Sequence, residues 1–243
     1  MRWFTGRVRA SRPRTLVGAA AVAAMALALL VDLVLVPPDR WQGNAQRLMY
    51  VHVPSIWTAY LCFGLVLLSS IGVLTAHHPR WDPLARAAAE LGVGMTALTL
   101  AEGAMWGSRS WGTWWTWDPR LVSTALLLLL YVAYLLLRSL PGPATVVQRR
   151  AAVLGVVGFV QVIVVHFSVL WWRSLHQPPT LLTPEQPAPI AGSMLAALLL
   201  SLLAFTLAGG WFVLSRYEQL RVPAADSSAT PTRRAVLVTG RSR

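Results

Sequence analysis

Lysine is absent from this chain of 243 residues, and all 21 of its basic residues are arginine. Acidic residues number only 9, and charged residues of all kinds make up 12%. So little charge cannot cover the surface of an ordinary water-soluble domain. The 56% hydrophobic content points instead to a chain that crosses a membrane several times. Cysteine occurs once, at Cys62 inside an apolar run, which excludes an internal disulfide, a Cys-based zinc site and any Cys-x-x-Cys-His pattern. Metal chemistry, if there is any, rests on His, Asp or Glu. The net charge of +12 would suit nucleic acid, yet the arginines are spread between apolar runs. They read as a topology signal, and no nucleic-acid partner is expected.

What the chain does have is six apolar runs, at about 16–36, 53–76, 83–105, 121–140, 151–170 and 190–214. Each reaches the ~20 residues that cross roughly 30 Å of hydrocarbon. None shows the alternation of a membrane β-barrel, so the expected fold is an all-α integral membrane protein with six transmembrane helices. The first run follows Arg2, Arg7, Arg9, Arg12 and Arg14 and resembles a signal peptide in that respect. It is longer than the roughly 7–15 residues of a signal core, and Pro37-Pro38-Asp39-Arg40 offers no small-residue cleavage site, so a retained span is expected. Residues 1–221 form the expected membrane domain. The tail 222–243, with Ser227, Ser228, Thr230 and Pro231, reads as disordered.

Arginine counts orient the bundle. Sixteen lie in the terminal tails and the loops 77–86 and 138–150; five, Arg40, Arg47, Arg109, Arg120 and Arg173, lie in the other three loops. The positive-inside rule then places both termini in the cytoplasm. The loops near 37–52, 106–120 and 171–189 face outward, toward the periplasm in a double-membraned bacterium.

One of these outer loops carries an unusual load. Trp106, Trp111, Trp114, Trp115 and Trp117 fall within a dozen residues just ahead of Asp118. Interfacial belts account for Trp41, Trp57, Trp171, Trp172 and Trp211. They account poorly for such a cluster, and eight of the twelve tryptophans lie in or beside the outer loops. If 111–118 is helical, Trp111, Trp114, Trp115 and Asp118 share a face and form a shelf of indoles. Two outer histidines flank this loop, His52 before the second span and His176 after the fifth. Neutral imidazoles on separate loops suit the two axial positions of a haem iron. A tryptophan shelf suits the flat apolar ring, and Arg120 and Arg47 suit its anionic propionates. Asp118 is placed to hold Arg120 or an indole N–H. His77 and His78 read as solvated loop residues, and His166, in the fifth span, as a buried hydrogen-bonded residue or part of a pathway. The charges within spans are Asp32, Glu90 and Glu102; Asp32 reads as a carboxylate reaching toward the interface.

Together these residues resemble the CcmC family of cytochrome c maturation. The resemblance runs through Gln42-Gly43-Asn44, Arg47, Tyr50-Val51-His52-Val53-Pro54, Trp106-Gly107, the stretch Trp111-Gly112-Thr113-Trp114-Trp115-Thr116-Trp117-Asp118 with Arg120-Leu121, His166, and Trp171-Trp172 ahead of Leu175-His176-Gln177. It implies a haem-handling protein of the bacterial inner membrane that binds haem b at the periplasmic surface. His52 and His176 would be the axial ligands, and the residues from Trp106 to Asp118, Gly112 and Thr113 included, would form the platform. It further implies transfer of haem to the periplasmic chaperone CcmE and association with the CcmA/CcmB ABC transporter and CcmD. Binding and transfer, rather than classical enzyme catalysis, is the expected activity. Two alternatives belong to other classes. A cytochrome c synthase would need the further spans and large outer domain that this chain lacks. A haem-transporting permease subunit would need a polar path through the bundle.

Overall fold

A chain with long apolar runs satisfies its amides in hydrocarbon by closing hydrogen bonds within each segment, and helices do this without an edge. The computed structural model describes residues 12–76, 78–177 and 190–221. Six helices there are long and apolar enough to cross a membrane, and the described residues contain no strand. The chain is a multi-pass membrane protein. The helices are α1 (Arg12–Leu30), α2 (Met49–Thr75), α3 (Trp81–Ser110), α4 (Pro119–Leu137), α5 (Ala144–Trp171) and α6 (Gly192–Arg221). A π-helical turn, Val31–Leu35, continues α1, and a 3₁₀ turn, Asn44–Leu48, leads directly into α2. The tail 222–243, read above as disordered, lies outside the described residues, as do residues 1–11, His77 and 178–189.

The helices outrun the apolar stretches. α5 starts at Ala144 rather than 151, and α3 ends at Ser110 rather than 105. Hydropathy marks the segment that sits in hydrocarbon, whereas arginine-bearing turns such as the one holding Arg149 and Arg150 stay helical beyond it, with their charges in water.

The core lies among α2, α3, α4 and α5. Phe63 stacks on Tyr131 with ring centroids 3.7 Å apart, and Ala59, Val66, Ala87, Ala88 and Leu127 close around them with no exposure. Two threonine hydroxyls inside the bundle bond to their own helix: Thr96 donates to the Gly92 carbonyl and Thr99 to that of Met95, both at 2.8 Å. α1 packs mainly on α6. Arg14 near its start pairs with Glu218 at 2.8 Å, which sets the beginning of α1 beside the end of α6.

Asp32 corrects the sequence reading. It does not extend outward from the bundle; it is 6% exposed and accepts a 2.7 Å hydrogen bond from Ser201 on α6. The π-helical turn shifts the register of the helix at this point, and Asp32 lies in the seam between α1 and α6.

Candidate functional site

Six up-and-down helices bring the starts of α2, α4 and α6 and the ends of α3 and α5 to one end of the bundle. His52, the tryptophan loop and His176 all lie there.

His52 is in the first turn of α2, not in the loop before it, because the 3₁₀ turn at Asn44–Leu48 feeds straight into the helix. Its ring meets Trp106 edge-on at 5.8 Å. Gly103 on α3 makes room: a Cβ there would lie 3.1 Å from His52 Cε1. The His52 Nδ1 atom is buried and has no hydrogen-bond partner among the described residues. Trp106 belongs to α3, and its indole N–H donates to Gln42 Oε1 at 2.7 Å, tying the 37–48 segment to that helix.

The stretch 111–118 is not helical, so the four-residue shelf anticipated from the sequence does not form. Gly112 takes φ +75°, a left-handed conformation that ends α3. The Thr113 hydroxyl then donates to the Trp115 carbonyl at 3.0 Å and bends the chain again. Asp118 opens α4 as its N-cap, with Pro119 in the first turn. The indoles separate as a result. Trp111 lies across Gly107, where a Cβ would approach its Cε3 to 3.0 Å, and meets the His176 ring edge-on at 4.9 Å. Trp114, Trp115 and Trp117 are exposed, the last two edge-to-face at 5.9 Å.

Asp118 joins the two loops. It is 5% exposed and takes hydrogen bonds from Arg120 N (2.9 Å), Ser174 Oγ (2.8 Å) and Leu175 N (2.7 Å), while His176 Nδ1 lies 3.0 Å from its Oδ1. Burial opposes ionisation of this carboxyl, but the donors around it outweigh burial and hold its pKa below the usual value of 3.8. A carboxylate only accepts, so His176 donates through Nδ1 and presents a free lone pair at Nε2. Burial also depresses the His176 pKa below 6.5; Asp118 pulls it the other way and Arg120 adds to the depression. The imidazole is neutral at pH 7, the form that binds metal.

Arg120 and Arg47 differ. The Arg120 guanidinium donates to the His166 carbonyl at 3.1 Å, keeps a buried Nε without a partner among the described residues, and lies within Coulombic range of both His52 and His176. Arg47 donates to the carbonyls of Asp32 and Val36 and to Asn44 Oδ1, so its donors are engaged at the end of the first span. His166 is exposed on the surface of α5, neither buried nor hydrogen-bonded through its ring in the way anticipated. Glu102 is buried and accepts from Ser55 Oγ at 3.4 Å. A cleft of about 330 Å³, lined by Thr116, Trp117, Asp118, Pro119, Arg173, Ser174 and Leu175, opens beside the Asp118 junction, and neither imidazole lines it.

Ser174 and Gly103 escaped the sequence reading, and Gln42 and Gly107 entered it only as motif residues without a role. The partners of Ser174 and Gln42 are set by the fold. Gly103 and Gly107 had a legible signal, the four-residue spacing of small residues that lets membrane helices and side chains approach closely.

Residues 3–229 match the family model for CcmC, heme exporter protein C. The chain belongs to the heme exporter protein C family. It is 37% identical over 203 residues to a protein of that name from Bradyrhizobium diazoefficiens, covering 83% of this chain and 76% of the relative. It is 34% identical over 195 residues to the one from Haemophilus influenzae, covering 80% and 78%. A CcmC-like mitochondrial protein of Marchantia polymorpha, named for cytochrome c biosynthesis, is 31% identical over 195 residues, covering 80% and 82%. As a member of the heme exporter protein C family, this chain handles haem. The residues at the histidine end fit that cargo: one buried imidazole nitrogen without a partner, a second imidazole fixed by a carboxylate, and indole edges on both.

Proposed function

We propose that this chain binds haem b between His52 and His176, on the periplasmic side of the bacterial inner membrane, and passes it to the chaperone CcmE. One arrangement carries the proposal. Two imidazoles from different segments lie at the same end of the bundle, each braced by a tryptophan, and one is turned by a carboxylate so that Nε2 is free. Neutral imidazole is a strong ligand for haem iron, and a carboxylate on its far nitrogen fixes orientation and raises basicity.

In this reading Trp106 and Trp111 brace the ligands, and the exposed Trp114, Trp115 and Trp117, with Gly112 and Thr113 shaping the loop, offer indole faces to the ring or to the chaperone. Arg120 faces a propionate. Arg47, engaged with the first span, acts by holding the segment that leads into His52. The ligands sit on separate segments and detach one at a time, which suits a carrier that must release its cargo. Association with CcmA/CcmB and CcmD belongs to the same proposal, supported by family membership.

Absorption spectra of the full chain purified in detergent test the ligand set. The wild type is expected to show a Soret band with the α and β bands of low-spin, six-coordinate haem once reduced. His52→Ala and His176→Ala should each lose or weaken them. Spectra unchanged in both variants would refute the axial assignment.

A further inference from the structure

His166 is not used by the site just described. It lies five residues before the end of α5 at Trp171, about 7.5 Å along the helix at 1.5 Å per residue, and so just below the level of the tryptophan loop. Its ring is exposed on the helix surface, where a membrane-spanning segment meets lipid. Two aromatic rings meet it, Tyr60 edge-on at 6.3 Å and Phe167 edge-on at 4.9 Å. One turn on, Phe167 stacks against Trp171 at 5.7 Å and 23°. A polar ring facing hydrocarbon without a hydrogen-bond partner is costly and calls for a task.

Its connections lead to the haem site. The His166 carbonyl holds Arg120, whose guanidinium is within Coulombic range of His52, His176 and Tyr60. Through its backbone carbonyl, the turn of α5 that carries His166 is tied to the arginine beside the two imidazoles.

We propose that His166 is a transient haem ligand at a lateral entrance, taking haem that arrives through the outer leaflet before it reaches His52 and His176. The occupant is an iron porphyrin from the membrane. Its iron takes the exposed imidazole, and its apolar ring lies against Tyr60 and the Phe167–Trp171 stack, which has the flatness and apolarity to receive it. Transfer exchanges one iron–imidazole bond for another: the bond to His166 breaks as one to His52 or His176 forms. No electron moves, and no co-reactant is needed. The inference rests on the axial reading above, since the entrance serves that site.

The test uses the full chain in nanodiscs. Iron protoporphyrin IX is supplied either in phosphatidylcholine–phosphatidylglycerol vesicles or as its water-soluble albumin complex, and loading is followed by stopped-flow Soret absorbance. His166→Ala should reach the wild-type spectrum at the end point yet load from vesicles about tenfold more slowly, while loading from albumin keeps its rate. His166→Met, which restores a ligand to haem iron, should recover part of the vesicle rate. An unchanged vesicle rate overturns the proposal, as does equal slowing from both sources, an altered end-point spectrum, or a wild type that takes nothing from vesicles. A phospholipid or a partner helix covering His166 gives the first of these results. Failure of the axial reading shows elsewhere, as end-point spectra that survive His52→Ala and His176→Ala.

Discussion

A single carboxylate fixes the geometry of His176, the residue proposed as a haem ligand. Asp118 caps α4, accepts a hydrogen bond from the Leu175 backbone N–H and another from His176 Nδ1–H, so it fixes both the loop and the ring. Asp118→Asn keeps the size but puts an NH₂ group where donors already point and removes the charge that strengthens the imidazole. Haem affinity in a Soret titration should fall by about 10- to 100-fold, the usual effect of losing an outer partner of a ligating histidine. Ser174→Ala removes one of four hydrogen bonds to the same carboxylate and leaves its charge, which costs about 1 kcal/mol and so about fivefold in affinity. If Ser174→Ala were as damaging as Asp118→Asn, the carboxylate's charge would not be the active quantity. The residue types of the proposed site were visible in the sequence as an imidazole pair beside an indole-rich loop. The pairing itself was not, for Asp118 and His176 stand 58 residues apart and meet only once α4 and α5 have packed.

Within one helix the same residue type does two jobs. Gly92 and Gly103 both lie on α3, and at each an added Cβ meets an aromatic ring: 2.6 Å from Phe63 Cε1 at the first, 3.1 Å from His52 Cε1 at the second. Phe63 is fully buried and stacked on Tyr131, so it cannot give way. Gly92→Ala should therefore lower thermal stability in detergent, by about 1–3 kcal/mol for overpacking a filled core. Gly103→Ala faces the edge of a ring at the end of the bundle. A shift of a few tenths of an ångström relieves it, so the fold should keep its melting temperature while haem affinity falls as His52 is displaced. Loss of stability in Gly103→Ala with unchanged haem binding would reverse that division. The six helices were legible as apolar runs, since twenty such residues leave a chain little choice. The irregular stretch 111–118 was not, because three- and four-residue spacing is compatible with a helix, and the left-handed Gly112 with the Thr113 turn imposes something else.

At the scale of the whole molecule the two ends are built from different chemistry. Arginine–carboxylate pairs clamp one end: Arg14 with Glu218 joins α1 to α6, Arg216 with Glu90 joins α6 to α3, and Arg138 with Asp82 links the end of α4 to the start of α3 at 2.6 Å. The His176–Asp118 pair and the exposed tryptophans occupy the other. Ion pairs across three seams hold the helices at one end, and the proposed haem site leaves the other open. By the positive-inside rule, the arginine excess on the clamped end predicts that this end lies in the cytoplasm. Cys62 is buried, so introduced cysteines should label without interference from it. With a membrane-impermeant maleimide on spheroplasts, Trp41→Cys, in the fully open loop before α2, should label in intact cells. Ser139→Cys, in the exposed turn after α4, should label only after permeabilisation. The reverse pattern would put the two imidazoles in the cytoplasm, out of reach of a periplasmic chaperone, and the haem-transfer reading would fall with it.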